Sequence, residues 1–426
     1  MHSYLGMSLS FVAMLTLVWR ITFAMRYKAY PPVQTAFLPD VSVIIPAFNE
    51  GAQILDTVRS VMASRYPGKK LQVICVDDGS ADDTWRWMVK ANKQFPKNVH
   101  LIRQPVNSGK RHALMAGFAQ ATGQVFVTID SDSEVLPDTL RHLVSPFVVD
   151  PRVGSVAGNV RVLNMKEGAI PKMMDVSFTS AFDFIRVGQS VYGGVFCTPG
   201  ALSAYRAATI KPLLAGWSVQ TFMGNPANIG EDRALTNLVI ASGMRVVYQR
   251  EAVVLTKVPV NFTGLRRMLT RWARSNVREN LVMFGFIFGH FRPNDSGSNW
   301  VRLFSLTQMM RMTFTEAFKC AVLVQLFLEP LGTLVVLATG AVLSAILPAV
   351  VYFLQHRSLF GLKWSLPFSF YWLASLWWIP LWGVLTASQS GWLTRGAPAK
   401  APQFQPAPAM AAPAGVAPSN VSVRAA

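Results

Sequence analysis

The chain of 426 residues carries Lys+Arg 40 against Asp+Glu 22, a net charge of +18, with 51% hydrophobic and only 15% charged residues. That hydrophobicity excludes a disordered chain, and the charged fraction is low for a soluble globular one. Three cysteines, Cys75, Cys197 and Cys320, lack any paired spacing, which leaves no readable disulfide framework or zinc site and favours a membrane enzyme of a reducing compartment.

Tyr4 to Val18 is free of formal charge, Arg20 interrupts the run, and Ile21 to Met25 resumes it. About 20 apolar residues cross the hydrocarbon layer, so this segment spans if Arg20 snorkels or sits near the interface. Arg20, Arg26 and Lys28 follow the apolar core, which places the chain from Asp40 onward on the cytosolic side. A cleaved leader would carry its positive charges ahead of the run. Residues 1–28 are therefore expected to be an anchor.

From residue 38 to 260 the pattern changes to short β-rich runs, Val41–Phe48, Leu71–Val76, Val99–Arg103 and Val125–Ile129, alternating with helical patterns near 50–64, 82–95, 109–121 and 137–147. Such alternation implies an α/β domain with a doubly wound, mostly parallel sheet, whose ligands lie beyond the carboxyl ends of the strands. There the sequence places Pro46-Ala47-Phe48-Asn49-Glu50, then Asp77-Asp78-Gly79-Ser80, then Asp130-Ser131-Asp132. Any one of these aspartates could simply cap the next helix. Together they would repel one another at one rim, and a divalent cation with a phosphate ligand resolves that conflict. Asn107-Ser108-Gly109-Lys110-Arg111 opens a helix and adds free amides and two cations suited to phosphate. The dinucleotide fingerprint is absent after the first strand.

Beyond these lie the segment Thr198 to Arg206, the tetrapeptide Gly230-Glu231-Asp232-Arg233, and a basic run in which Arg267, Arg271, Arg274 and Arg278 recur at helical spacing. A solvated or headgroup-facing helix is the plain reading of that stripe, and residues 261–320 are expected to form amphipathic interface helices. A second apolar block covers 321–395. Leu331 to Leu354 forms one span, or two if the chain turns back near Pro348, and Pro367 to Ala387 forms another, rich in interfacial-type tryptophans. The tail from 396 to 426 is rich in Ala and Pro and is expected to be disordered.

The succession PAFNE, DDGS, NSGKRHAL, DSD, GEDR and RWARSN resembles the family 2 glycosyltransferases, specifically the membrane-embedded processive β-glycan synthases of nodulation-type chitin-oligosaccharide and hyaluronan kind. Gly391-Trp392-Leu393-Thr394-Arg395 resembles the W-x-(S/T)-R element of the same synthases. The resemblance implies a cytosolic GT-A domain flanked by transmembrane helices in the plasma (inner) membrane, and inverting transfer from a UDP-sugar with Mg²⁺ or Mn²⁺. The growing glycan and membrane lipids would be the other partners, and export across the membrane would accompany synthesis.

By that resemblance, Asp78 contacts the uridine with Ala47 to Glu50 nearby, Lys110 and Arg111 serve the donor, and Asp130 and Asp132 hold donor and metal, Asp132 foremost. Asp232, beside Glu231, is the general base. Arg271 and Trp272 hold the diphosphate and the acceptor sugar. Gly200 and Ser203 lie under the acceptor, and Trp392, Thr394 and Arg395 flank the channel. Met268 stands where the family's motif has Gln, and Ala234 where near relatives often have His. Three alternatives stand beside this reading: a single transfer to a lipid carrier, a catalytically dead membrane scaffold, and nucleic-acid binding. The last is set aside because no nucleic-acid motif accompanies the basic residues.

Overall fold

The computed structural model describes residues 2–289, 291–292, 295–389 and 391. The expected elements of the α/β domain are present within a few residues of their expected limits. After α1 (His2–Arg26) come β1 (Val41–Ala47), α2 (Gln53–Met62), β2 (Leu71–Asp77), α3 (Thr84–Gln94), β3 (Val99–Arg103), α4 (Lys110–Gln120) and β4 (Val125–Thr128). All seven residues of β1 are buried, as are six of β2. Near-continuous apolar runs of this kind are what a parallel sheet covered on both faces requires.

The chain continues through β5 (Ser133–Val135), α5 (Thr139–Val149), β6 (Val153–Val162), α6 (Ala169–Ser180), α7 (Val187–Val191), β7 (Ser203–Arg206), α8 (Ala207–Ile210) and α9 (Leu214–Ser218). A small hairpin, β8 (Thr221–Phe222) and β9 (Asn225–Pro226), precedes α10 (Glu231–Ala241) and β10 (Arg245–Thr256). The main sheet has eight strands in the order β3-β2-β1-β4-β7-β6-β10-β5. Strands β1 to β4 and the β6/β10 pair are parallel, whereas β7 runs antiparallel to both neighbours and β5 antiparallel to β10. The second half of the sheet is thus mixed rather than a continuation of the parallel winding.

Four helices and one short helix complete the described chain: α11 (Phe262–Ile287), α12 (Gly297–Leu328), α13 (Pro330–His356), α14 (Phe360–Tyr371) and α15 (Ile379–Leu385). Among the described residues, α13 is the one helix long and apolar enough to cross a bilayer; α14 and α15, joined through Leu376 and bent by 44°, count as a second span if the pair is taken as one. α13 passes unbroken through Pro348, so the chain does not turn back there.

The Arg20 guanidinium lies 5.3 Å from the Phe304 ring centroid of α12, beside Phe23, which packs edge-on against Tyr192 and Trp300. One expectation about charge needs correction. The arginine stripe of α11 is not a solvated face throughout: Arg267 is exposed, whereas the second half of the stripe turns inward. Arg274 and Arg278 are buried, and Arg274 donates to Thr386 Oγ1 at 2.9 Å and Gln389 Oε1 at 2.7 Å. α11 is therefore clamped between the α/β domain and α15. The expected tail and Trp392, Thr394 and Arg395 lie outside the described residues.

Candidate active site

A cavity of about 600 Å³ opens beyond the carboxyl ends of β1, β2 and β4 and is roofed by α10, α11 and α12. Two acidic turns shape its donor-side rim. Asp77 accepts the Ser80 N–H at 2.9 Å and closes the DDGS turn. Gly79 sits there at φ +73, where an added Cβ would fall 2.5 Å from the Val106 carbonyl carbon; only glycine fits so close a backbone crossing. Asp78, buried, accepts N–H groups from Ser108 and Gly109, each at 2.9 Å. The NSGK loop is thereby fastened to the end of β2, and Lys110 enters the cavity from the first residue of α4.

Lys110 Nζ bonds Asp130 Oδ1 and lies 3.2 Å from Glu231 Oε1. Burial by itself would disfavour its charge, but the carboxylates of Asp130, Glu231 and Asp232 outweigh burial and raise the lysine's pKa. Lys110 thus ties the rim of β4 to the first turn of α10. Asp132 accepts from Ser133 Oγ and Thr256 Oγ1, both at 3.3 Å.

The first turn of α10 supplies two carboxylates with opposite tendencies. Burial pushes Glu231 up, yet Lys110 and Arg271 overcome it, so Glu231 holds its charge below the ordinary range. Asp232 is pushed up, first by burial and next by the neighbouring Glu231 charge. Its Oδ2 accepts the Gly200 N–H at 3.2 Å and faces the Cys197 thiol at 3.7 Å, while Oδ1 accepts the Arg233 N–H at 2.8 Å. A dry carboxylate with raised proton affinity beside a charged one is what a general base needs.

Position and register of this turn are set from α11. Gly230 has φ +68, and a Cβ there would fall 1.8 Å from Ser275 Oγ. Arg278 donates to the Ile229 carbonyl and, at 2.9 Å, to Glu279 Oε1. Glu279 also accepts from Asn237 Nδ2 at 3.0 Å on α10. Arg271 and Trp272 project from α11 into the cavity, where Trp272 lies 6.1 Å from Phe178 in a tilted ring pair. Met268 lines the same wall.

Ala47, Asp78, Lys110, Asp130, Asp132, Gly200, Glu231, Asp232, Arg271 and Trp272 are therefore gathered around one space. Three expected residues are placed elsewhere. Arg111 is buried on the far side of α4, where Nη1 donates to the Trp217 carbonyl at 2.6 Å and the guanidinium lies 5.0 Å from the Trp217 ring centroid; the helix turn that aims Lys110 inward aims its neighbour away. Glu50 does not line the cavity; its N–H is held by Thr84 Oγ1 at 2.8 Å. Ser203 is buried within β7, its hydroxyl donating to the Pro199 carbonyl at 2.5 Å. Conversely, Cys197, Arg278 and Glu279 were not singled out from the sequence as parts of the site.

Among the described residues, no group of three or more His, Cys, Asp or Glu gathers around one metal position. Two carboxylates, Asp130 and Asp132, do open on the cavity. Magnesium and manganese commonly bind through one or two carboxylates and complete their shells with water and substrate phosphates, so the oxygen donors present fit such an ion together with a diphosphate ligand.

Residues 42–214 match the family described as glycosyl transferase family 2. Among characterised proteins, the chain is 36% identical over 262 residues to an N-acetylglucosaminyltransferase of Rhizobium meliloti (strain 1021), covering 61% of each chain. It is 35% identical over 247 residues to a hyaluronan synthase of Streptococcus pyogenes, covering 57% of this chain and 58% of that one. The chain thus spans about three fifths of the length of these relatives. Its fold is similar to that of a mannosyltransferase from Pyrobaculum calidifontis solved with GDP-Man and Mn²⁺, at a TM-score of 0.62 and 22% identity over 87% of this chain and 95% of that one.

Proposed function

We propose, from the match of residues 42–214 to glycosyl transferase family 2, that the protein is an inverting, processive transferase. It polymerises a β-linked, GlcNAc-containing glycan from UDP-sugars and exports it across the inner membrane, with its catalytic domain cytosolic. The observation that supports this reading is the carboxylate cluster at the cavity: a buried, proton-seeking Asp232 on α10 beside Glu231, which Lys110 ties to Asp130 of the Asp130/Asp132 rim.

The chemistry follows from what each residue can do. The donor nucleotide lies against Ala47 and Asp78 at the ends of β1 and β2, with its diphosphate directed toward Lys110 and Arg271. Asp130 and Asp132 would hold a divalent cation, which when bound offsets the charge of the diphosphate. An acceptor hydroxyl titrates far above neutrality, so its proton must leave as the new bond forms. Asp232 takes that proton. Its orientation is fixed by the Gly200 and Arg233 amides, and Glu231 stays ionised and keeps Lys110 charged. As the C–O bond to the diphosphate breaks, Lys110 and Arg271 stabilise the departing negative charge in a water-poor space, where fixed charges act strongly. Trp272 offers an aromatic face for the acceptor ring. Base and leaving group on opposite sides of the sugar give in-line displacement with inversion.

Processivity and export are inferred from the placement of the cavity between the α/β domain and helices α11 and α12, with α13 and the α14/α15 pair, which follow in the chain, as the membrane-crossing elements. The test is incorporation of labelled sugar from UDP-GlcNAc, alone and with UDP-GlcA. Long products formed while most primer is untouched support the reading, and a product that stops at one added sugar overturns processivity.

A further inference from the structure

Lys110 and Arg111 open α4 side by side, but only Lys110 reaches the cavity; Arg111 is 3% exposed and does not line it. Burial lowers the Arg111 pKa to about 10, against the pull of the Glu231 and Glu279 carboxylates, so the residue remains a cation at neutral pH. A cation withdrawn from water carries a cost, and what it holds there is Trp217 on α9. Nη1 donates to the Trp217 carbonyl at 2.6 Å and to Gln220 Oε1 at 3.2 Å, and the guanidinium lies 5.0 Å from the Trp217 ring centroid. Phe118, two turns along α4, meets the same indole edge-on at 6.2 Å.

The indole passes this hold on to the base helix. Trp217, 1% exposed, donates from Nε1 to the Glu231 carbonyl at 3.1 Å, and Gln220 Nε2 donates to Glu279 Oε1 of α11 at 3.4 Å. The first turns of α4 and α10 are thus joined twice. Inside the cavity Lys110 Nζ meets Glu231 Oε1 at 3.2 Å; behind it Arg111 and Trp217 reach the Glu231 backbone. One attachment would leave α10 free to rotate about it, whereas two fix the direction in which Asp232, the next residue, points. The two also differ in what the reaction asks of them. Lys110 faces the cavity and is drawn on by a diphosphate that enters, whereas the indole–carbonyl contact lies away from cavity and solvent.

We propose that Trp217, gripped by Arg111, is a positioning residue for transfer: a strut from α4 to the Glu231 backbone that keeps Asp232 aimed while Lys110 serves the diphosphate. This rests on the transferase reading above and deepens it, since neither residue touches substrate. Arg111, expected among the donor contacts, takes a place behind the base instead.

Full-length protein in detergent is compared with Trp217→Phe, which keeps an aromatic face and loses the N–H, and with Arg111→Lys, which keeps the cation and loses the fork. Sites competent to bind UDP with Mn²⁺ are counted by calorimetric titration, and sugar transfer from UDP-GlcNAc, alone or with UDP-GlcA, is expressed per competent site. Each variant should bind UDP within about twofold of wild type and lose roughly tenfold in kcat per site, the order of one hydrogen bond and a small displacement of the base. The double variant should fall little below the worse single one, because both act through one chain of contacts. A residue that only stabilises the fold would reduce the number of competent sites and the unfolding temperature and leave kcat per site unchanged. Where Trp217→Phe fails to fold, benzothienylalanine in place of Trp217 deletes the N–H from a ring of the same shape, with the same expectation. Unchanged kcat per site, or a loss of UDP affinity equal to the loss of kcat, overturns the proposal and leaves the transferase reading standing. No transfer by the wild-type protein from either donor mixture overturns both.

Discussion

The most demanding prediction concerns Gly230, which bears no chemistry of its own. In Gly230→Ala the new Cβ would lie 1.8 Å from Ser275 Oγ and 2.6 Å from Ser275 Cβ, on backbone already at φ +68. The left-handed conformation costs an L-residue about 1–2 kcal/mol, and forcing a methyl into packed space costs about 1–3 kcal/mol. The sum, roughly 2–5 kcal/mol, is large against the stability of a domain. Relief requires α10 and α11 to separate, and Glu231 and Asp232 are the next two residues. A shift near 1 Å costs about 100-fold in a positioned reaction, so sugar transfer should fall by that order while the donor-side loop around Asp78 is unaffected. The assay is thermal unfolding and UDP-sugar turnover of purified Gly230→Ala, Ser275→Gly and the double variant. Ser275→Gly removes both clashing atoms, so the double variant should recover much of the loss, leaving the left-handed strain and about 1 kcal/mol for glycine within α11. Wild-type unfolding and turnover in Gly230→Ala would refute the claim that α11 sets the base.

The other predictions act on the chemistry and its support. Asp232→Asn should lower transfer by 100-fold or more with donor affinity nearly unchanged, whereas Asp132→Ala should weaken metal-dependent donor binding; calorimetric titration of both variants distinguishes the roles. Because the pKa of Asp232 is raised by burial and by Glu231, its base form is lost as pH falls from a point above the ordinary 3.8. The acid limb of kcat/KM should therefore lie above the usual carboxylate range, and a limb below it would contradict the assignment. Arg278→Met should destabilise the protein by about 3–5 kcal/mol, since it leaves Glu279 buried without its cation, and Arg278→Met with Glu279→Leu should restore part of that loss in chemical unfolding.

Much of this site is legible in the sequence because strand ends are local. β1, β2 and β4 each run directly into the residues that face the cavity, so PAFNE, DDGS and DSD could be placed on one rim before any packing was known. Lys110 and Arg111 mark the boundary of that legibility: adjacent in sequence, they point to opposite sides of α4, and only the position of Trp217 decides which faces the ligand. The arginines of α11 were harder still. Four cations at helical spacing ordinarily mark a wet surface; Arg267 stays exposed, while the burial of Arg274 and Arg278 depends on Glu279 of α11 itself, on the Ile229 carbonyl in the loop before α10, and on Thr386 and Gln389 beyond α15. The mixed second half of the sheet has the same origin. β7 is four residues long and joins β4 to β6, a pairing that no periodicity specifies.

The measurement that bears most directly on the account is incorporation of radiolabelled GlcNAc by the full-length protein in detergent with Mg²⁺ or Mn²⁺. UDP-GlcNAc would be supplied alone and then with UDP-GlcA, and products sized before and after chitinase or hyaluronidase. A processive synthase gives long GlcNAc-containing polymer at early times, sensitive to one of the two enzymes and abolished by Asp232→Asn. A product that never exceeds a single added sugar, or polymer that persists in Asp232→Asn, would contradict it.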